Sequence, residues 1–273
     1  MSDGFIRLSI FFSVLVVLGI VELLIPRREF GRHKLRRWIT NLSIVGLDGF
    51  VLRLVFPILA VGVGEYVHSH GYGLFGFLNW PSWLELVLSV VLLDLAIYIQ
   101  HVATHKIPAL WLLHQVHHAD TEVDVTTGTR FHPLEIVLSM VYKFAVILLI
   151  GPSAFAVFLF EVLLNVFAMF SHANIKLPGY IDSPLRRLIV TPDMHRIHHS
   201  TLIRETDSNY GFNLSIWDRL FGTYIETPKL GHSAMQIGLS PYQSKKPSTL
   251  IWSLLLPFRH IKRVLRFRKE NKR

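Results

Sequence analysis

The stretch SWLELVLSVVLLDLAIYIQHVATH, Ser82 to His105, is apolar enough to cross a bilayer and ends in two histidines. Ser82 to Gln100 comes close to the ~20 residues that a spanning helix needs. His101 and His105 follow four residues apart, on one helical face. Asp94 stands inside the span, and at 100° per residue its offsets of 7 and 11 to His101 and His105 return to within about 20° of its own direction. Asp94, His101 and His105 therefore form one stripe. A carboxylate within a span is functional by default, and its natural role here is to accept a proton from a ligand imidazole and fix its tautomer. An ion pair with Arg53 is the structural alternative.

The rest of the chain has the same character. Its 273 residues are few for two independent soluble domains, and 51% hydrophobic with 17% charged residues is too apolar for one. The balance of +9, from 28 Lys and Arg against 19 Asp and Glu, suits basic cytoplasmic flanks beside anionic headgroups rather than nucleic acid. Cysteine is absent, which excludes disulfides, Cys-held zinc and iron–sulfur clusters with Cys ligands. Any metal must be held by nitrogen and oxygen. Histidine is the opposite anomaly, with 15 copies.

Working outward, Phe5 to Ile25 reads as a retained span, because the basic stretch Pro26 to Arg37 follows it and no small-residue cleavage site is present. That charge puts residues 26–40 in the cytoplasm. Asn41 to Gly64 is the second span, although it carries Asp48 and Arg53; Tyr66 to Pro81 is an outer loop. Leu134 to Ile150 and Ser153 to Phe170, separated by Gly151-Pro152, read as a helical hairpin. Lys143 and Glu161 fall at nearly the same depth in its two arms, where they pair, or Lys143 snorkels alone. The expected fold is an all-α membrane protein of about four transmembrane helices with a cytoplasmic, helical, histidine-rich cap. Its regions are an anchor at 1–84, a catalytic domain at 85–225 and a basic tail at 226–273. From Leu250 that tail alternates apolar residues with Arg259, Lys262, Arg263, Arg266, Arg268 and Lys269, as an interfacial amphipathic helix does.

Pro108 suits the first turn of a helix that carries His114, His117 and His118 on one face. The same HxxHH pattern recurs at His195, His198 and His199. Imidazole is a good ligand for iron, zinc, copper and nickel. His172, at the inner end of its span, is a ninth candidate ligand, sharing a face with Glu161 and Asn165. His132 is a candidate for a role in or next to the ligand set; His33, His68, His70, His232 and His260 stand apart. One ion takes three or four protein ligands, so eight or nine nitrogens imply a dinuclear site. Neither the Glu-x-x-His repeat of soluble di-iron bundles nor an HExxH zinc-peptidase motif is present.

His101-x-x-x-His105, His114-x-x-His117-His118 and His195-x-x-His198-His199, in that order on a membrane chain, resemble the fatty acid hydroxylase/sterol desaturase superfamily. The resemblance covers roughly residues 85–225. It extends to Thr126-Thr127-Gly128-Thr129-Arg130-Phe131-His132-Pro133-Leu134-Glu135, to Thr191-Pro192-Asp193-Met194-His195, and to Asn209-Tyr210-Gly211-Phe212 with Trp217-Asp218-Arg219-Leu220-Phe221-Gly222-Thr223. These are similar to the bacterial branch called sterol desaturase family proteins. Lys176 stands four residues after His172, where the acyl 2-hydroxylase pattern has another histidine.

The resemblance implies a non-haem di-iron monooxygenase that hydroxylates or desaturates an unactivated C–H bond of a lipid with dioxygen and two external electrons. It implies two iron ions, or zinc as purified, held by the nine histidines, with Asp94, Asp193, His132 and Asp120 as supporting groups. The chain has no flavin fingerprint, haem attachment motif or ferredoxin cysteine run, so a separate b-type cytochrome or ferredoxin with its reductase is the expected donor. A bacterial inner membrane with the site on the cytoplasmic side is the expected location. A zinc-dependent membrane lipid hydrolase is the main alternative; a metal transporter and a bis-His haem protein are the others.

Overall fold

A computed structural model describes residues 3–31, 33–78 and 80–259. Among them there is no strand, only three isolated bridges, Pro26 with Ile175, Ile189 with Leu214 and Ser200 with Ile237, all at the histidine-bearing end. The helices that set the architecture are α1 (Asp3–Leu24), α2 (Lys34–Val55), α3 (Ala60–Ser69), α4 (Ser82–Lys106), α5 (Pro108–His118), α6 (Pro133–Ile150), α7 (Ala154–His172) and α8 (Pro192–His198). Among the described residues five stretches are long and apolar enough to cross a membrane, against the four or so expected: Gly4–Leu24, Lys34–Phe77, Ser82–Lys106, Pro133–Ile150 and Ala154–His172.

The lipid-facing surface is written in helical periodicity. Phe5, Leu8, Phe12, Val16, Ile20 and Leu23 of α1 are all more than half exposed, three or four residues apart, a continuous apolar face suited to the interior of a bilayer. The opposite side of α1 carries the fully buried Glu22, whose Oε1 accepts from the amides of Val125 and Asn174, both at 2.6 Å. That carboxylate ties the end of the first span to the two segments that flank the histidine centre.

The second span departs from expectation. Asn41 to Gly64 is not one helix: α2 ends at Val55, and α3 begins at Ala60. Pro57 lacks an amide hydrogen and forces the preceding residue out of helical geometry, and Phe56 sits accordingly at φ −117°, ψ 111°. The break lets α3 pack on α6 and α7. Ala60, Val67, Leu93, Ile97, Met140, Ile147, Val157 and Phe160 form the core there. The hairpin between α6 and α7 turns at Gly151, φ +74°, where a Cβ would lie 2.2 Å from the carbonyl of Tyr72. Lys143 and Glu161 are paired across the hairpin at 2.7 Å, and Arg7 of α1 joins the same carboxylate at 2.6 Å.

Buried arginines brace the histidine end. Arg37 is fully buried and donates to both oxygens of Asp120 (2.5 and 2.8 Å) and to Asp124 (2.8 Å). Arg130 donates to Asn41 (2.7 Å), to the carbonyls of Val116 and Pro247 and to Ser253 (each 2.8 Å). Together they fasten the 120–130 loop to α2 and to the chain beyond residue 245. The C-terminal segment is helical over Leu250–Leu255, but Lys262, Arg263, Arg266, Arg268 and Lys269, which were to form a basic amphipathic face, lie outside the described residues.

Candidate metal centre

Two groups of histidines meet at one end of the spanning helices. His101 and His105 from α4, His114 and His118 from α5 and His198 from α8 form the first; their ligating nitrogens all lie within 4.8 Å of one another. His117 from α5, His172 from the last turn of α7, His195 from α8 and the adjoining His199 form the second, to the same limit. All nine are buried. The i, i+3, i+4 spacing explains the division: His114 and His118 share one direction of α5, and His117 is turned toward α7. The two groups adjoin, with the rings of His118 and His199 stacked at 4.6 Å.

The hydrogen bonds fix the tautomers. Nδ1 of His101 lies 2.7 Å from the Tyr210 carbonyl, Nδ1 of His198 2.7 Å from that of Ser208, Nδ1 of His172 2.6 Å from that of Ala168, and Nδ1 of His117 3.2 Å from that of Arg130. A carbonyl only accepts, so each Nδ1 carries the proton and each Nε2 presents its lone pair inward. His114 Nδ1 is held at 2.6 Å by Glu135, and His105 Nδ1 lies 3.4 Å from Asp207.

Nε2 of His172 then stands 3.1 Å from Nε2 of His117, of His195 and of His199. Two lone pairs that face each other at 3.1 Å repel unless a cation lies between them. Separations of 3.1 Å are in the range for imidazole nitrogens that share one cation at the 2.0–2.1 Å of a zinc–imidazole bond. In the first group Nε2 of His101, His114 and His118 meet no hydrogen-bond donor or acceptor among the described residues. Burial first, and neighbouring histidines second, hold His117, His118, His195 and His199 well below the usual imidazole range, so they stay neutral, as ligation requires. The donor set fits divalent transition-metal ions in both groups.

The four supporting groups expected from the sequence stand elsewhere. Asp94 does not accept from a histidine: it receives the indole N–H of Trp217 at 2.8 Å and the amides of Leu214 (3.2 Å) and Asn213 (3.3 Å), and it does not pair with Arg53. Asp193 meets Arg27 at 3.0 Å, Arg196, and His232 at 3.7 Å. His132 caps α6 by accepting from the amide of Leu134 at 3.2 Å, and its Nε2 faces the Leu254 carbonyl. Asp120 faces Arg37 rather than the ligand histidines: burial pushes its carboxyl up, but the Arg37 guanidinium outweighs this and holds it at about 2.

Other residues do the orienting. Glu135 stands in the first turn of α6, in the His132-Pro133-Leu134-Glu135 segment, whose sequence alone gives it no role toward a histidine. Asn209 adopts φ +50°, a left-handed conformation that Asn tolerates, and so turns the carbonyls of Ser208 and Tyr210 toward His198 and His101. Its side chain is held by the Met194 carbonyl and by the backbone of Ile225, each bond 2.9 Å. Asp218 takes the amides of Tyr210 (2.7 Å) and Gly211 (2.8 Å). The Asn209-Tyr210-Gly211-Phe212 and Trp217-Asp218 motifs are thus the mould of a loop whose carbonyls orient two histidines. Gly128 lets the neighbouring loop press on α7, since a Cβ there would lie 2.6 Å from the carbonyl of Ala168, the acceptor for His172.

A cavity of about 600 Å³ reaches the first histidine group. His101 and His114 line one part of it, Ile97, Met140, Leu164 and Phe212 its apolar wall, and Arg7, Lys143 and Glu161 a more remote part. Gly4 of α1 and Gly46 and Gly49 of α2 also border it, and a Cβ on any of the three would meet open space.

The pattern of residues is shared with known proteins. A sequence model of the fatty acid hydroxylase family matches residues 86–223. The ornithine lipid hydroxylase OlsE of Rhizobium tropici is 31% identical over 189 residues, 68% of this chain and 54% of that protein. The alkylglycerol monooxygenase of Homo sapiens is 33% identical over 169 residues, 60% of this chain and 36% of that one. A very-long-chain aldehyde decarbonylase of Oryza sativa subsp. japonica is 29% identical over 226 residues, 77% of this chain and 81% of that one. This chain spans about half or less of the length of the hydroxylase and monooxygenase relatives it matches. No solved structure matches it. All three histidine motifs lie within the matched span, and this integral membrane protein belongs to the fatty acid hydroxylase family.

Proposed function

We propose that the chain is a membrane oxygenase that holds two iron ions in its two histidine groups and hydroxylates, or desaturates, an unactivated C–H bond of a lipid. The observation that carries this reading is the junction of two adjoining all-imidazole groups with a cavity that runs between spanning helices. In the first group His101, His105, His114, His118 and His198 are the ligands, and in the second His117, His172, His195 and His199. Bound iron would supply the activation of dioxygen. The protein's own part is positional. Carbonyls 130, 168, 208 and 210 and the Glu135 carboxylate hold the imidazoles in the ligating tautomer, and the apolar wall excludes water. Asp94 acts at one remove, by holding the 213–217 segment of the loop that presents the Tyr210 carbonyl to His101.

The names of the hydroxylase and monooxygenase relatives support a lipid substrate, and the cavity's apolar wall suits an alkyl chain. Two electrons per turnover would come from a separate carrier, a b-type cytochrome or a ferredoxin with its reductase. Exposed Arg36, Arg187, Arg204, Lys229, Lys245 and Lys246 favour one with an acidic face. We assign the histidine end to the cytoplasmic side of a bacterial inner membrane, on the Lys and Arg excess there and on the bacterial relative. A catalytic zinc takes three protein ligands and an open position, so groups of five and four histidines disfavour the hydrolase alternative.

The test is metal content and lipid products together. Protein purified in mild detergent should carry about two metal ions per chain, and His117→Ala and His198→Ala should lose metal and abolish the oxidised lipid. His68→Ala, on α3 and outside both groups, should do neither. Full turnover in the first two variants would overturn the reading.

A further inference from the structure

Arg7 of α1 and Lys143 of α6 meet on one carboxylate. Glu161 of α7 holds Lys143 Nζ at 2.7 Å through one oxygen and Arg7 Nη1 at 2.6 Å through the other, so two cations share a single negative charge. The side chains of Arg7, Lys143 and Glu161 are 29%, 11% and 3% exposed, and all three line the cavity that reaches the histidines. The other carboxylates on that wall do not offset the excess: Glu135 holds His114 at the histidine end, and Asp48 pairs with neither cation among the described residues. An excess positive charge in apolar surroundings at bilayer depth is costly, and the cost falls when an anion joins it. Arg7 and Lys143 each retain N–H donors beyond the one contact with Glu161.

Their place along the helices sets a length. Lys143 lies eight residues after Glu135 on α6, and Glu161 eleven before His172 on α7. At the rise of an α-helix these offsets put the triad roughly 12–17 Å from the histidine end. Met140 and Leu164, which fall within those two intervals, line the cavity together with Ile97. We propose that Arg7 and Lys143 form a subsite for the anionic end of the lipid substrate, a carboxylate or a phosphate, and that its chain runs from there along the apolar wall to the histidines. The identity of the occupant rests on the lipid oxygenase reading. The charged end is then held away from the histidines, and carbons well along the chain are the ones presented to them.

The experiment is competitive binding without turnover. The purified chain in neutral detergent at mildly alkaline pH is incubated with hexadecanoate, hexadecyl phosphate, hexadecanol and hexadecylamine in equal amounts, and the retained species are counted by native mass spectrometry. The wild type should retain at least one of the two anions ~10- to 100-fold over the alcohol and the amine, the range for charge-assisted hydrogen bonds in a buried site. Whichever anion is held more strongly identifies the class of polar end. Arg7→Gln leaves Lys143 and Glu161 as a neutral pair and should remove the preference, whereas Glu161→Gln removes the competing carboxylate and should strengthen it. Retention of the alcohol or the amine as strong as that of both anions overturns the subsite, and so does an unchanged preference in a folded Arg7→Gln. Loss of the preference in both folded variants would mark the triad as a tie between α1 and the hairpin and overturn it too. Since no oxidation is measured, an anion-selective protein that never yields an oxidised lipid would refute the oxygenase reading alone.

Discussion

Glu135 offers the sharpest test of how the centre is built. Its Oε1 lies 2.6 Å from His114 Nδ1, with the two side chains 8% and 2% exposed, so the bond is dry and charge-assisted. Glu135→Gln keeps an acceptor but removes the charge. Hydrogen bonds to charged groups contribute ~1.5–3 kcal/mol against ~1 kcal/mol for neutral ones, so the variant should lose about 1 kcal/mol, or roughly 5- to 10-fold in metal affinity. Glu135→Ala leaves a buried N–H without a partner and should cost ~2–3 kcal/mol, toward the 100-fold end of the range for such supporting groups. Both losses should fall on the five-histidine group alone, because His117 and His172 orient on the carbonyls of Arg130 and Ala168. Graded chelation followed by metal quantitation would resolve two classes of site, with only one weakened. Equal weakening of both classes, or a Gln variant as impaired as the Ala variant, would refute the reasoning.

Arg37→Ala should be the most damaging change away from the histidines: it strands Asp120 and Asp124 in a buried site, a loss of ~3–5 kcal/mol, and a thermal melt or loss of folded yield would show it. Asp94→Asn should leave metal on the four-histidine group, lower activity ~10- to 100-fold and loosen the 209–217 loop; protection from hydrogen exchange there unchanged from wild type would sink the idea. In metal-free protein, His117, His118, His195 and His199 titrate well below the ~6.5 of the unfolded chain. Below that value the unfolded state binds more protons, so stability is fully present above it and is lost as pH falls. The melting midpoint of metal-free protein should therefore drop between about pH 7.5 and 5.5, and a flat midpoint across that window would contradict it.

The spans and the histidine boxes were legible because both are periodic. Apolar runs close to bilayer length give the helices, and offsets of 3 and 4 put His114, His117 and His118 on one side of α5. The offsets set His117 apart from His114 and His118, but they do not say what it meets; His172 at the end of α7, 3.1 Å away, is supplied by tertiary packing. Asp94 shares a stripe with His101 and His105, yet its donors come from residues 119 to 123 positions further along the chain, beyond any local spacing rule. His132 precedes Pro133, and the need to cap α6 claims its ring. The break between α2 and α3 had a visible signal in Phe56-Pro57, outweighed by the apolar run around it. Glu22, near the end of the first span, has no role that its sequence neighbours reveal, and the two amides it receives from Val125 and Asn174 come from far along the chain.

The cage of nitrogen donors has a cellular corollary. Imidazole sites rank first-row ions with copper and zinc above ferrous iron, and these groups offer no carboxylate to shift that order. With four of its nine rings already oriented by main-chain carbonyls, the scaffold has less room to adjust its bite to one ion and reject another. Metal identity then follows from supply at the moment of folding. A host grown in zinc-rich medium should fill the same cage with a redox-silent ion and yield a folded, stable and inert protein.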